Sequence, residues 1–268
     1  MKNLLTIAGS DSCGGAGIQA DLKTFSALGA YGMSVITAVT AQNTRGVFSV
    51  RDLDTDIVRD QIDCLFEDIR IDAVKIGMVS NVDIIKTIGE RLSHHGATRI
   101  VVDPVMVSKS GCHLLNPQAE AELVRVLFPL AAVVTPNLFE TGVITGKSID
   151  SVDQMKQAAM EICDLGARAV VVKGGHLEGD AVDVVYDGRE FHYVTSKRIE
   201  TKNTHGTGCT YSSAIAVYLA KGYLLLDAVR MAKSYITGAI EHALDIGQGA
   251  GPTGHFYDLY QKAGVSYE

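Results

Sequence analysis

Apolar residues along this chain fall into two patterns, short unbroken runs and longer stretches with helical spacing. "LLTIAG", "MSVITAVTA", "AVKIGM", "RIVVDPVM", "AAVVTP" and "AVVVKGG" are apolar runs, most of them rich in β-branched residues, and they predict strands. Between them, "IQADLKTFSALGA" reads as an amphipathic helix. "DIVRDQIDCLFEDI" sets apolar residues at 57, 58, 62, 65, 66 and 69 along one helix face. Further helical patterns cover about 81–95, 116–128, 137–145 and 151–165, and two long ones, about 207–221 and 225–244, come last.

Strands that are apolar throughout and alternate with helices predict an α/β fold, a mostly parallel central sheet with helices on both faces. "VDVVYDGREFHYVTSKRI" differs: two runs flank "DGRE" and predict an antiparallel hairpin near one sheet edge. No linker rich in Pro, Ser or charge divides the pattern and no fixed-period repeat appears, so residues 1–268 read as one domain. In such sheets ligands sit beyond the carboxyl ends of the strands. Those ends carry "GSDSCGGAG", "TAQNT", "KIGM", "DPVM", "TPNLFE" and "VKGGH", so glycines and polar groups collect at one rim.

Composition narrows the partners. With 31 acidic against 24 basic residues the formal charge is −7, which argues against a sequence-independent nucleic-acid binder. A small anionic ligand stays compatible, because local backbone dipoles can reverse the average field. Five scattered cysteines, without a CxxC pair, fit neither a disulfide framework nor a zinc ribbon and point to the reducing cytosol. The opening "MKNLLTIAGSD" is too short an apolar run for a signal peptide, and Arg125 breaks the greasiest stretch well short of a membrane span.

Two familiar motifs fail on context. "GAGIQA" matches a dinucleotide-binding glycine pattern, but the second strand ends "TAVTAQN" without the acid that would hold a ribose. "GVITGKS" has three residues between its glycines where a phosphate loop needs four, and it follows a helical pattern; a helix C-cap explains it better. Other residues keep two readings each. Asn137 and Glu140 in "PNLFE" lie one helical turn apart, which suits either a hydrated cation or a capping box. Asp103 and Lys173 end neighbouring strands, as an Mg-nucleotide site needs, or form a partly buried ion pair. Cys209 follows a Gly-Thr-Gly turn at a helix start, where it is either a small buried hydrophobe or a thiol inclined towards thiolate.

In order along the chain, "GSDSCGGAGIQADLKTFSALGAYGMSVITAVTAQNTRGV", "KIGM", "DPVMVSKSG", "TPNLFE", "VKGGH" and "TKNTHGTGCTYSSAIA" resemble the hydroxymethylpyrimidine and hydroxymethylpyrimidine phosphate kinases of thiamine biosynthesis. That family is ribokinase-like and a neighbour of pyridoxal kinase, and the likeness runs from about Leu4 to His255. It implies a three-layer ribokinase-like fold and a cytoplasmic homodimer using ATP and Mg2+. The implied reaction phosphorylates 4-amino-5-hydroxymethyl-2-methylpyrimidine, then its monophosphate to the pyrophosphate. The resemblance makes Cys209 the base and the amides of Gly206, Thr207 and Gly208 the anion hole. It puts Lys173, Asp103, Asn137, Thr204 and His205 on the nucleotide side, with Glu140 and, through water, Asn137 near magnesium. Ala16, Asp21, Gln42, Met78 and Val105 would line the pyrimidine pocket.

Elementary chemistry agrees with several of these roles. A 4-aminopyrimidine edge offers a donor beside an acceptor, which one Gln amide satisfies at once. Met78 suits a polarizable ring contact. A helix start is expected to lower the Cys209 thiol, although bound polyphosphate would push it back up. "VSKSGCHLL" reads as a mobile flap that would bring Lys109 to the phosphates. The chain departs from the family at Cys13, where Ser or Gly is more usual, and at Cys112, a flap site often acidic; both make redox sensitivity possible. A vitamin B6 kinase, a nicotinamide-dependent oxidoreductase and a silent binding protein are the competing readings.

Overall fold

The computed structural model describes residues 1–106, 115–175, 177 and 179–265; Lys109 and Cys112 of the expected flap lie outside them. The described strands are β1 (Asn3–Asp11), β2 (Tyr31–Asn43), β3 (Gly46–Asp52), β4 (Ala73–Ile76), β5 (Ile100–Val102), β6 (Ala131–Val134), β7 (Val170–Val172), β8 (Ala181–Tyr186) and β9 (Phe191–Ser196). They form one sheet in the order β3-β2-β1-β4-β5-β6-β7-β8-β9. The pairs from β2 to β7 are parallel, while β3, β8 and β9 add antiparallel edges.

The period of two along each strand builds two cores. Leu5, Ile7, Val74, Ile76, Val102 and Val134 face one side, under α2 (Thr55–Asp68), α3 (Val82–His94), α4 (Pro117–Leu127) and α6 (Val152–Asp164). Leu4, Ala73, Val101, Val133 and Val171 face the other, under α1 (Gly17–Ala27), α7 (Thr207–Ala220) and α8 (Leu225–Glu241). Burying each Val, Leu or Ile side chain contributes about 1.5–3 kcal/mol, so both faces drive the fold. Helix α7 is buried on nearly every side; its small residues Ser212, Ser213, Ala214 and Ala216 let the sheet, α1 and α8 all approach. The short α5 (Leu138–Thr145) and α9 (Tyr257–Lys262) complete the helices.

The α/β class, the two-sided cover and the β8–β9 hairpin match the sequence-based expectation. Strand β3 departs from it. Its Phe48 and Val50 are 66% and 43% exposed, so "GVFSVRD" carries no buried face for a sequence pattern to reveal. Strand order turns at β1, since the chain leaves it first towards β2 and later returns on its other side as β4. That reversal opens a crevice at the carboxyl ends of β1 and β4.

Candidate active site

A cavity of about 1420 Å³ lies over these strand ends and the start of α7. Its walls include Ala16, Gln42, Met78 and Val105, together with Asp103, Asn137, Glu140 and Lys173. Thr204, His205, Gly206, Thr207, Gly208 and Cys209 complete the part foreseen from sequence.

Backbone geometry at Gly206 aims α7 at this space. Gly206 caps the helix at φ 78°, and a Cβ there would run into the Gly15 carbonyl, so only glycine fits. Gly208 permits a second close approach: a Cβ on it would stand 3.3 Å from Lys173 Nζ and 3.5 Å from Asp103 Oδ2. The first-turn N–H groups have no acceptor within the helix, and they gather beside an ammonium. Thr207 N–H makes only a long bond to the Thr204 carbonyl, 3.4 Å. An anion placed here would meet amide dipoles and Lys173 together.

Cys209 occupies the third position of that turn, half-buried at the cavity wall. The expected depression of its pKa does not occur. Burial, joined by the carboxylates of Asp21 and Asp103, pushes the thiol up to about 11 against the opposing charge of Lys75 and a bond from Gly17 N–H. Desolvation outweighs the helix dipole.

Asp103 and Lys173 form an ion pair of 2.8 Å, and the Thr135 and Ser212 hydroxyls also bond Asp103, at 3.1 and 3.3 Å. Burial opposes ionisation of Asp103, yet Lys173 and then Lys75 hold it below the usual carboxylate range. Asn137 and Glu140 form the capping box: Asn137 Oδ1 accepts from Glu140 N–H at 2.9 Å, and Glu140 Oε2 accepts from Asn137 N–H at 2.8 Å. The capping box is one of the two sequence readings of this pair, and both side chains also line the cavity. Burial and the nearby Asp103 push Glu140 up to about 7, against Lys173 and backbone bonds from Asn137 and Met106. Asp103 and Glu140 are thus both buried near the Lys173 ammonium, which pairs with Asp103.

Asp21 also needs correction. Its side chain is fully buried below the cavity and does not line it. Lys75 Nζ lies 2.9 Å from both carboxylate oxygens, while Thr6 and Ser213 donate hydroxyl bonds of 2.6 and 2.7 Å. The cluster ties β1, α1, β4 and α7 together. Burial pushes the Asp21 carboxyl up, while Asp21 keeps Lys75 above the ordinary lysine range; the symmetric 2.9 Å contacts of Nζ to both oxygens favour the ion pair.

His205 was expected with the nucleotide; it stands at the Gln42 end. Its Nε2 is 2.9 Å from Asp11 Oδ2 and 3.3 Å from the Gln42 amide. Asp11 accepts the backbone N–H groups of Cys13, Gly15 and Ala16, closing the loop after β1. Burial and Asp11's charge push the Cys13 thiol up, which argues against a reactive thiolate there. Elsewhere in the cavity, Lys233 and the Tyr211 hydroxyl donate to Asp183 at 2.7 and 2.9 Å.

Sequence reading missed Asp11, Lys75 and Asp183. Lys75 had a signal: an ammonium inside the apolar run "AVKIGM" must find a buried carboxylate. Asp11 ends the first strand in "GSD", at the same rim of the sheet as Asp103. Asp183 lies in an edge hairpin, where an acid usually faces water, so nothing local marked it.

A family model described as phosphomethylpyrimidine kinase matches residues 11–254. The hydroxymethylpyrimidine/phosphomethylpyrimidine kinase of Rhizobium meliloti is 56% identical over 257 residues, covering 94% of this chain and 96% of that one. The thiamine biosynthesis bifunctional protein of Geobacter sulfurreducens is 51% identical over 94% of this chain, which spans 52% of that longer protein. The solved structure of Staphylococcus aureus pyridoxal kinase with AMP-PCP and pyridoxal superposes with a TM-score of 0.88, at 39% identity, covering 96% and 94% of the two chains. Among the described residues no helix is long and apolar enough to cross a membrane. With the match reaching from the last residue of β1 to the turn beyond α8, the chain belongs to the phosphomethylpyrimidine kinase family.

Proposed function

We propose that this chain, acting as a single domain, transfers phosphate from ATP to the hydroxymethyl group of 4-amino-5-hydroxymethyl-2-methylpyrimidine, and then to its monophosphate, in thiamine biosynthesis. The observation that carries this reading is the meeting of the α7 first turn with Lys173 and Asp103 in the cavity that Gln42 also lines. Phosphoryl transfer asks a protein mainly to position reactants and stabilise charge on the transferring oxygens. The Gly208 and Cys209 amides and the Lys173 ammonium would hold those oxygens at the cavity wall. Glu140, with Asp103 beside it, would hold a hydrated magnesium ion, which supplies positive charge to the polyphosphate when bound. Gln42 would orient the ring so that its hydroxymethyl group faces the α7 turn. With the thiol up to about 11, Cys209 contributes to catalysis chiefly through its backbone N–H.

A homodimer and a reducing cytosolic compartment complete the proposal, resting on the family resemblance and on the free thiols of Cys13, Cys64, Cys163 and Cys209. The second reading, a vitamin B6 kinase as main or side activity, is favoured by the likeness to the pyridoxal kinase structure. ATP turnover with the aminopyrimidine and with pyridoxine separates the two. Gln42→Leu should lower kcat/KM for the aminopyrimidine by about 2–4 kcal/mol and for pyridoxine by less. Equal losses would show that Gln42 does not read the ring.

A further inference from the structure

We propose that Asp11 and His205 are positioning residues that fix which way round the Gln42 amide faces the cavity, and so set the donor–acceptor order of the ring it accepts. This rests on the proposed reading of Gln42 as the ring contact.

Hydrogen bonding at both ends of the amide leads to one orientation. Asp11 is 2% exposed and accepts three backbone N–H groups. Against the effect of burial, the His205 bond and those amides keep its carboxyl below the ordinary range. An ionised carboxylate only accepts, so His205 Nε2, 2.9 Å away, carries the hydrogen and donates it. The structure sets the Gln42 amide nitrogen 3.3 Å from the same Nε2, a donor against a donor; turning the amide over places its oxygen there, where it shares with Asp11 the one Nε2 hydrogen. At the other end, 3.3 Å away, stands Thr40 Oγ1. The Thr40 hydroxyl lies 2.9 Å from the Ser10 carbonyl and 3.3 Å from the amide oxygen; with its one hydrogen on the shorter contact, Oγ1 offers the amide only a lone pair. The amide NH2 belongs there. Both contacts select the same face.

His205 is itself held. Its N–H bonds the Gly251 carbonyl at 3.0 Å, and a Cβ on Gly15 would come within 2.3 Å of its ring, so the imidazole packs flush on that glycine. The pinned amide then presents one free lone pair and one free N–H in a fixed order. Once the hydroxymethyl group is held at the α7 turn, the ring cannot turn over to suit the opposite order. An amino group beside a ring nitrogen matches; a carbonyl beside a ring N–H places acceptor on acceptor and donor on donor.

The test compares the 4-amino substrate with its 4-oxo analogue, through kcat/KM and through Kd by calorimetry. Wild type should prefer the amino ring by about 10²–10³-fold. His205→Ala frees the amide to rotate, and the preference should shrink at least about tenfold, while His205→Gln, which keeps a donor, should restore most of it. In a Gln42→Leu background His205→Ala should leave the ratio unchanged. Should His205→Ala weaken both rings equally with the ratio intact, or His205→Gln behave like Ala, the positioning role is wrong. A wild type that binds the amino ring selectively without phosphorylating it would sink the kinase reading and leave this one standing.

Discussion

Two lysine–carboxylate pairs sit on neighbouring parts of the same sheet with nearly equal geometry, Asp21–Lys75 at 2.9 Å and Asp103–Lys173 at 2.8 Å. Their surroundings differ. Both side chains of the first pair are 0% exposed, and hydroxyls from Thr6 and Ser213 complete the carboxylate shell. Lys173 is 13% exposed in the cavity, beside a second carboxyl, Glu140, that burial makes hard to ionise. A sealed, fully bonded pair can only hold elements together. An open pair with an unbalanced neighbour can exchange its partner for phosphate or a cation. The same two residue types thus serve as architecture or as chemistry according to whether the cavity reaches them.

Breaking the sealed pair should have the largest effect. Lys75→Met strands a buried carboxylate and should cost about 3–5 kcal/mol of stability in denaturant unfolding. Adding Asp21→Leu should recover most of it, because an apolar pair needs no partner. A single variant as stable as wild type would show that water reaches Asp21. Lys173→Met should act the other way round, lowering kcat by about 10²–10³-fold, or about 2.7–4 kcal/mol, with a clearly smaller loss of stability than Lys75→Met. Equal loss of stability from the two variants would erase the distinction between the pairs.

The open pair can be sharpened through Glu140. Its carboxyl is pushed up to about 7 from an ordinary 4.5, so the folded chain binds more protons than the unfolded one between those values. Stability therefore falls as pH rises from about 4.5 to 7, and the ionised group burdens the fold above that window. Glu140→Gln keeps an oxygen for the cap and removes the titration. Relative to wild type it should gain stability with rising pH across the window, on the order of 3 kcal/mol at most. Unfolding curves at pH 5 and pH 8 check this; parallel pH dependence would place the titration elsewhere. The apparent magnesium requirement should rise in the same variant, and overlapping titrations would leave Glu140 a cap alone.

Legibility followed the range of the interactions. Strands β1, β2 and β4–β7 and the main helices were readable because burial on both faces leaves a continuous apolar run or a helical stripe. The exposed face of β3 left nothing to read. At the site, Gly206, Gly208, Asp103, Lys173 and Gln42 were visible as polar or glycine interruptions at strand and helix ends. Asp21 and His205 were placed wrongly because their partners lie 54 and 194 residues away, Lys75 and Asp11 respectively. Spacing along a chain carries no trace of such pairings. The Cys209 error was of another kind: the local helix dipole was visible, while the burial that overrides it depends on α7 being enclosed by the sheet, α1 and α8.

Cys209 provides the smallest expected effect and the strictest comparison between two sources of catalysis. A base with a thiol up to about 11 is ionised in only about one molecule in 10⁴ at pH 7. Bound polyphosphate would lower that fraction further. The first-turn amides, by contrast, do not titrate, and Asp103 and Glu140 hold Lys173 above the ordinary lysine range despite its burial. Cys209→Ala should therefore reduce kcat by less than about tenfold, because the backbone N–H at that position survives the substitution. Cys209→Ser should behave like Ala, and no limb of the pH–rate profile should move in either. If Cys209→Ala instead fell by about 10²–10⁴ and Cys209→Asp recovered activity with an acidic limb shifted towards a carboxylate's pKa, proton removal by this side chain would be the controlling step. The thiol would then have to lose its proton only after substrate binding had brought a compensating positive charge beside it.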